Sequence, residues 1–213
     1  MRQMIVKPIK TTDMRKLLII TALLSLSIAA FAQEKRYEVK SGKVTMEMDM
    51  MGQTMVQEIY FDDYGAKQAT VSNMMGQTMR MLVVDGKNVM VNDADKTAMS
   101  MPAMGPELDR INFLNLDEKT VKKNRIKELG EETVAGKTCK KYSYKMLMMG
   151  QAQTVTAWVY KGITLKSSIS TDFGEMIQEA VRIEEDITVK PEMFTVPEGV
   201  KIQEMDMSMM GGM

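Results

Sequence analysis

The chain of 213 residues contains no histidine and only one cysteine, Cys139. Without histidine it cannot form the Ser–His or Cys–His pairs that activate nucleophiles, and it lacks the commonest protein ligand of zinc and copper. A single cysteine cannot form an intramolecular disulfide, so the fold must be stabilised by packing. We therefore expect a protein that is not an enzyme and carries no cofactor. Cys139 itself is either a packing residue or a thiol activated by the lysines around it.

Residues 14–32 have the organisation of a secretory signal peptide. Met14, Arg15 and Lys16 form a positive start, residues 17–30 form an apolar run, and Ala30-Phe31-Ala32 is a small-x-small cleavage motif. The run is too short for a comfortable membrane span, and no cationic stop follows it. We expect cleavage near Ala32 and Gln33, with residues 1–13 arising from an upstream start site. An uncleaved N-terminal anchor is the alternative. Because no cysteine follows the run, we expect a soluble periplasmic or secreted protein.

Charge is balanced over the whole chain, with 28 basic and 28 acidic residues. Residues 1–32 hold five of the basic residues and one of the acidic ones, which leaves a net charge of −4 after cleavage. Such a chain is unsuited to phosphate backbones, and we expect no nucleic acid partner. The remaining length suits one domain, residues 33–204, followed by a methionine-rich flexible tail, residues 205–213. We expect a monomer.

Apolar and polar side chains alternate along most of this domain, which is typical of half-buried antiparallel strands. Short turn signals such as Asp85-Gly86 separate the alternating stretches. The helix-like pattern is confined to residues 107–123. The sequence predicts eleven strands, at residues 44–50, 54–61, 68–74, 78–84, 88–91, 96–101, 125–131, 139–148, 154–160, 164–170 and 175–187.

A succession of short motifs resembles one family. The motifs are Tyr37-x-x-x-Ser41-Gly42, residues 60–65 (YFDDYG), 84–87 (VDGK), 127–142, 158–163 (WVYKGI) and 194–199 (FTVPEG). Their order resembles that of secreted proteins of the DUF4412 type, which are related to the periplasmic lipoprotein carriers (LolA/LolB-like). The resemblance implies an incomplete antiparallel β-barrel wrapped over a short helical plug, with an apolar interior that receives acyl chains in the carriers. The arginine that the carriers have in their cavity is assigned to neither Arg80 nor Arg182.

Methionine is abundant: there are 26, of which 23 follow residue 32. Flexible, polarisable methionine side chains favour binding sites for apolar ligands of varied shape. We therefore predict a methionine-lined groove for an acyl chain, a lipid or a hydrophobic peptide, and an envelope protein as a further possible partner. Methionine as a plain substitute for leucine in the core of a structural envelope protein is an alternative. The predicted groove residues are Met46, Met48, Met50, Met55, Met79, Met81, Met99, Met101 and Trp158.

Thioethers also select soft metal ions such as Cu(I) and Ag(I). Met-x-Met spacing recurs in the chain, and side chains at i and i+2 of a strand lie about 6.5–7 Å apart. A periplasmic copper(I)-binding protein is therefore the second prediction. Its best candidate site is the tail, through Met205, Met207, Met209 and Met210.

Other polar groups carry weaker signals. Asp62-Asp63 and Asp93-x-Asp95 lie in predicted turns, where aspartate usually binds its own backbone rather than calcium. The basic run of residues 122–127 is typical of a solvated face that can also meet acidic headgroups. Adjacent pairs such as Glu131-Glu132 point to opposite faces of a strand and do not form an acid–base pair.

Overall fold

The first alternating half of the chain forms six antiparallel strands in the computed structural model. They are β1 (Gly42–Met50), β2 (Gln53–Asp62), β3 (Lys67–Met74), β4 (Gln77–Val84), β5 (Lys87–Asn92) and β6 (Thr97–Met101). The structure describes residues 34–50, 53–74, 76–84, 87–101, 111–148, 151–171 and 174–204, and the unit that they form begins at Lys35. The predicted signal peptide and methionine-rich tail lie outside these residues.

The second half forms another antiparallel series. Its strands are β7 (Lys127–Val134), β8 (Lys137–Met148), β9 (Gln151–Tyr160), β10 (Ile163–Thr171) and β11 (Gly174–Glu185). All eleven predicted strands are thus present, with ends shifted by at most three residues. A twelfth, β12 (Ile202–Glu204), was not predicted, because a segment of three exposed residues is too short to show an alternation of apolar and polar side chains.

The twelve strands of the described residues belong to one sheet in the order β12-β6-β5-β4-β3-β2-β1-β11-β10-β9-β8-β7. The pairing of β1 with β11 joins the two series. The sheet is strongly curved, since β7 contacts β11 although three strands lie between them. Irregular pairing between Thr45 and Met46, and again between Thr164 and Lys166, marks bulges that bend the strands. The predicted fold class, a curved antiparallel sheet over a short helix, is confirmed.

The helix is shorter than predicted. The structure has α1 at Glu118–Asn124 rather than over residues 107–123, of which 107–110 lie outside the described residues. Asp117 is the N-cap, and its side chain accepts a hydrogen bond from the Thr120 N–H. Before it, the Asn112 side chain accepts a hydrogen bond from the Leu114 N–H, which favours a turn over a helix. None of the helices in the described residues is long and apolar enough to cross a membrane.

Among the described residues, three apolar clusters stabilise the sheet. The first lies around β1, β2 and the ends of β7–β11 and contains Val44, Met46, Phe61, Leu165 and Trp158. The second covers one face of β3–β6. The third packs Tyr142, Ala157 and Val159 against Phe113, Leu116 and Ile126, which lie on either side of α1; we call residues 111–126 the helical segment. The helical segment is therefore the plug that the resemblance implies.

The C-terminal segment closes the second cluster. Residues 190–200, which we call the C-terminal strap, include a 3-10 turn at Pro191–Phe194 and place Met193, Phe194, Val196 and Val200 against Leu82, Val89 and Val91. Arg80 holds this strap: its guanidinium donates to the carbonyl oxygens of Glu192, Met193 and Thr195 at 2.7, 2.8 and 2.9 Å. The strap then continues into β12, which pairs in parallel with β6.

Candidate ligand cavity

The inner face of β1–β3 forms one wall of a cavity of about 400 Å³. Cross-strand pairing puts Val44 opposite Ile59, Ile59 opposite Thr70, and Phe61 opposite Gln68. Directly paired residues of antiparallel strands point to the same face, so all five side chains line this wall. Val44 and Phe61 are almost fully buried, which makes the wall a continuation of the core.

Strands β8–β10 form the facing wall. Tyr144 pairs with Val155, and Val155 pairs with Ile169, so these side chains share one face and line the cavity. Burial raises the pKa of Tyr144, which keeps its hydroxyl neutral. Met146 and Gln178 complete this side, and the Gln178 side-chain N–H donates to Gln57 at 3.1 Å.

The helical segment covers the cavity. Ile111, Phe113 and Asn124 line it from above. The Phe113 ring packs against the rings of Tyr142 and Tyr144, with centroids 5.1 and 6.0 Å apart. These contacts hold the plug on the sheet and leave a space beneath it that both apolar and polar side chains line. A volume of about 400 Å³ lies within the usual range of pockets for small ligands, about 300–1,000 Å³.

One end of the cavity adjoins a cationic groove. This groove is lined by Lys123, Asn124, Arg125, Lys145, Met146, Leu147 and Ala152, and it shares Asn124, Lys145 and Met146 with the cavity. The three cations belong to two elements: Lys123 and Arg125 lie at the end of α1, and Lys145 lies on β8. We call Lys123, Arg125 and Lys145 the cationic mouth. A partly apolar cavity beside such a mouth can hold an acyl chain, and the mouth can attract an anionic headgroup.

The predicted groove methionines whose side chains are described share the face of β1–β6 that forms the cavity wall. Met48 pairs with Met55 beside Met46, and Met79 and Met81 pair with Ser72 and Thr70. Met46 is buried in the first cluster, whereas Met48, Met55, Met79, Met81 and Met99 are half-buried. The side chains of Met50 and Met101 lie outside the description. The described members of the predicted set lie beside the cavity rather than on its wall.

Trp158 lies outside the cavity. Its neighbour Ala157 pairs with Ser167 of the cavity wall, and Trp158 points to the opposite face. The indole N–H donates to Glu132 at 2.8 Å, and the ammonium groups of Lys141 and Lys166 lie 4.6 and 5.0 Å from the ring centroid. The hydrogen bonds from Trp158 and then Lys141 lower the pKa of Glu132.

The remaining candidates have local partners. Cys139 is fully buried, burial raises the pKa of its thiol, and its S–H donates to the Lys137 carbonyl at 3.5 Å. These contacts favour the packing interpretation. The Asp62 side chain accepts a hydrogen bond from the Asp63 N–H, and Asp93 pairs with Arg80. In the described part of the chain, no group of three or more carboxylate or cysteine side chains is arranged to hold a metal ion.

Several cavity residues were not predicted, notably Phe113, Tyr144, Val155 and Ile169. The alternation of residues 139–148 and 154–160 places them on common faces, but alternation cannot say which face becomes concave. That choice depends on bulges and on the plug, which are long-range features. Arg80 points to the strap, on the face opposite the cavity wall, because it pairs with Val71 and Val91.

No family model and no curated protein sequence matches the chain. Among solved structures, an uncharacterised conserved protein from Thermus thermophilus has a TM-score of 0.54 at 9% identity, covering 87% of this chain and 99% of that one. The MucA/MucB complex of Pseudomonas aeruginosa has a TM-score of 0.49 at 13% identity, covering 77% of this chain and 58% of that one. A putative outer membrane lipoprotein-sorting protein domain from Vibrio parahaemolyticus has a TM-score of 0.39 at 12% identity, covering 78% of this chain and 94% of that one.

This chain spans about three fifths of the MucB structure that it matches. At these identities the similarity concerns the fold. The likeness to the Thermus thermophilus protein spans nearly all of that chain and shows that the open, curved sheet with its helical plug recurs in another protein. The LolA/LolB-like resemblance and membership of the DUF4412-type family stay predictions.

Proposed function

We propose that the protein is an extracytoplasmic binding protein, without enzymatic activity, that holds the acyl chain of a lipid or lipid-modified molecule in the cavity beneath the plug. The observation that carries this proposal is the cavity of about 400 Å³ between the two sheet walls and the plug, to which Val44, Phe61, Val155 and Ile169 contribute apolar side chains. The signal peptide predicted at residues 14–32 supports the location, and the motifs that resemble those of the lipoprotein carriers support such a ligand.

The cationic mouth orients the ligand. An acyl chain inserted between the walls leaves its polar end near Lys123, Arg125 and Lys145. Burial of each methylene contributes about 0.8 kcal/mol, so the chain supplies most of the affinity. Exposed cations contribute less and are screened by salt, so they favour anionic over neutral headgroups without being essential for binding.

The methionine-lined groove extends this site. Met81 pairs with Thr70 of the cavity wall, and Met48 pairs with Gln178 as well as with Met55. A ligand longer than the cavity would leave it over these half-buried thioethers, which adapt to varied shapes. In this proposal Met48, Met55, Met79, Met81 and Met99 form a secondary contact surface, and the apolar walls form the primary one.

A cavity-filling variant tests the site. Ser167 lines the cavity and is half-buried, so Ser167→Phe should occupy part of the space. Ser143 is also half-buried but pairs with Thr156 on the opposite face, so Ser143→Phe is the matched control. We expect the Kd for a fluorescent fatty acid to rise at least about tenfold in Ser167→Phe, equivalent to about 1.4 kcal/mol, and to stay unchanged in the control. Equal affinities in the two variants would contradict the cavity assignment.

Two further measurements complete the test. Mass spectrometry of the protein purified natively from its envelope fraction should detect co-purified lipid; its absence, together with no fatty-acid binding, would favour the structural envelope protein. Comparing a fatty acid with the fatty alcohol of equal length tests the mouth. Lys145→Gln should weaken binding of the acid and leave the alcohol unaffected. Equal binding of acid and alcohol would remove the headgroup preference while leaving the cavity in place.

A further inference from the structure

Three methionines from three neighbouring strands lie side by side on the sheet. Met81 of β4 is directly opposite Met90 of β5, and Met90 is directly opposite Met99 of β6. All three side chains are half-buried, on the face that Met79 also occupies two residues from Met81. We call Met81, Met90 and Met99 the methionine row. Met90 was not among the predicted groove residues, because its spacing along the chain shows no Met-x-Met pattern.

Cross-strand neighbours approach more closely than residues along a strand. Directly opposite side chains have Cβ atoms about 4.5–5.5 Å apart, against about 6.5–7 Å for side chains at i and i+2. A methionine side chain is unbranched and rotates freely about its bonds, so three thioether sulfurs in one row can converge on a single point. Soft thioethers prefer Cu(I) and other soft monovalent ions over hard ions such as magnesium or calcium.

The use of methionine on these strands is restricted to one face. On the opposite face the buried apolar residues of β3–β6 are Ala69, Leu82, Val89, Val91 and Ala98, which pack beneath the strap. In β4–β6, every methionine whose side chain is described lies on the same face as the row. If methionine merely replaced leucine and valine as core filler, it would occur on both faces. The one-sided distribution therefore favours a role for the thioethers themselves.

We propose that Met81, Met90 and Met99 form a binding site for one soft monovalent metal ion, Cu(I) or Ag(I). The site is separate from the cavity, to which the described residues of β4–β6 contribute no side chain. Thioethers need no deprotonation, so the affinity should be nearly independent of pH between about 5 and 8, unlike that of a cysteine or carboxylate site.

Silver(I) titration of the full-length protein under competition from a soluble chelator tests this site, because Ag(I) is redox-inert. We expect one ion bound, with affinity reduced at least about tenfold in Met90→Leu and unchanged in Met193→Leu, whose methionine lies on the strap. Methyl NMR signals of Met81, Met90 and Met99 should shift together at one equivalent. The same affinity at about pH 5.5 and about pH 7.5 is expected.

Two results would overturn the proposal. One is unchanged Ag(I) affinity in the triple variant in which all three row methionines are replaced by leucine, provided that its circular dichroism matches that of the unmodified protein. The other is complete loss of binding on deletion of residues 205–213 alone, which would place the ion on the tail. Met90 lies outside both the cavity lining and the secondary contact surface, so Met90→Leu should retain fatty-acid binding, which keeps this test distinct from that of the cavity.

Discussion

Replacing Arg80 should release the C-terminal strap. The Arg80 side chain is 7% exposed and forms a 2.7 Å ion pair with Asp93, in addition to its three hydrogen bonds to strap carbonyls. Each hydrogen bond to a charged group contributes about 1.5–3 kcal/mol, although the contributions do not add. Breaking a fully buried ion pair costs about 3–5 kcal/mol. Asp93 is 50% exposed and can be rehydrated, which lowers the cost. We expect Arg80→Ala to reduce the free energy of unfolding by about 3 kcal/mol.

Urea unfolding monitored by circular dichroism measures this loss. Arg182→Ala is the matched control, because Arg182 is 68% exposed and its ion pair with Glu184 should contribute less than about 1 kcal/mol. Asp93→Asn should lie between the two, since the guanidinium keeps its carbonyl partners. Hydrogen exchange in Arg80→Ala should accelerate first in residues 190–204. If Arg80→Ala and Arg182→Ala lower the free energy of unfolding equally, or if hydrogen exchange rises evenly over the sheet, the strap does not depend on Arg80.

Three further predictions concern backbone space, acid sensitivity and thiol access. Gly162→Ala should lower the free energy of unfolding by at least about 2 kcal/mol more than Gly136→Ala does. Both glycines have a positive φ, but of the two only Gly162 lies where an added Cβ would overlap backbone atoms. Equal melting temperatures of the two variants would contradict this prediction. The pKa of Glu132 is lowered from 4.5, so its stabilising contribution is complete above that value and is lost as pH falls through the lower folded pKa. The fluorescence of Trp158, the single tryptophan, should therefore change below about pH 4.5, and this change should be absent in Glu132→Gln. The same fluorescence change in Glu132→Gln would refute the assignment to Glu132. Cys139 should react with a thiol reagent only at the rate of unfolding, and rapid labelling in native buffer would contradict its burial.

Local patterns were sufficient to predict the strands. Period-two alternation in residues 44–50 put Val44, Met46 and Met48 on one face, and the structure has that arrangement. Turn chemistry was equally readable: Gly65 has a φ of +85° at the end of the predicted turn after β2. The helix was predicted to be too long, because residues 111–117 contain Asn112 and Asp117, whose side chains bind backbone N–H groups and restrict the helix to residues 118–124.

The cavity could not be predicted from local patterns, because residues that line it lie far apart in the chain. Val44 and Val155 face each other across it, although 111 residues separate them, and no local pattern relates the two. The methionine row has the same origin. Met81, Met90 and Met99 are nine residues apart, and only the registers of two hairpins put them opposite each other. The strap contact of Arg80 also needed the tertiary structure, since a lone arginine in a strand gives no sign of its partners.

The pairing of β1 with β11 has a consequence for how the chain folds. Every other pair of neighbouring antiparallel strands in the sheet is formed by consecutive strands, which need only short loops to close. The β1–β11 pair joins Val44 to Ile183 and must close a loop of about 140 residues, at a higher entropic cost. Each series of strands can therefore form early, and the joint between them should form late and limit the folding rate. Until it forms, β1 and β11 are two exposed strand edges, and a chain arrested at that stage is open to pairing with another copy of itself.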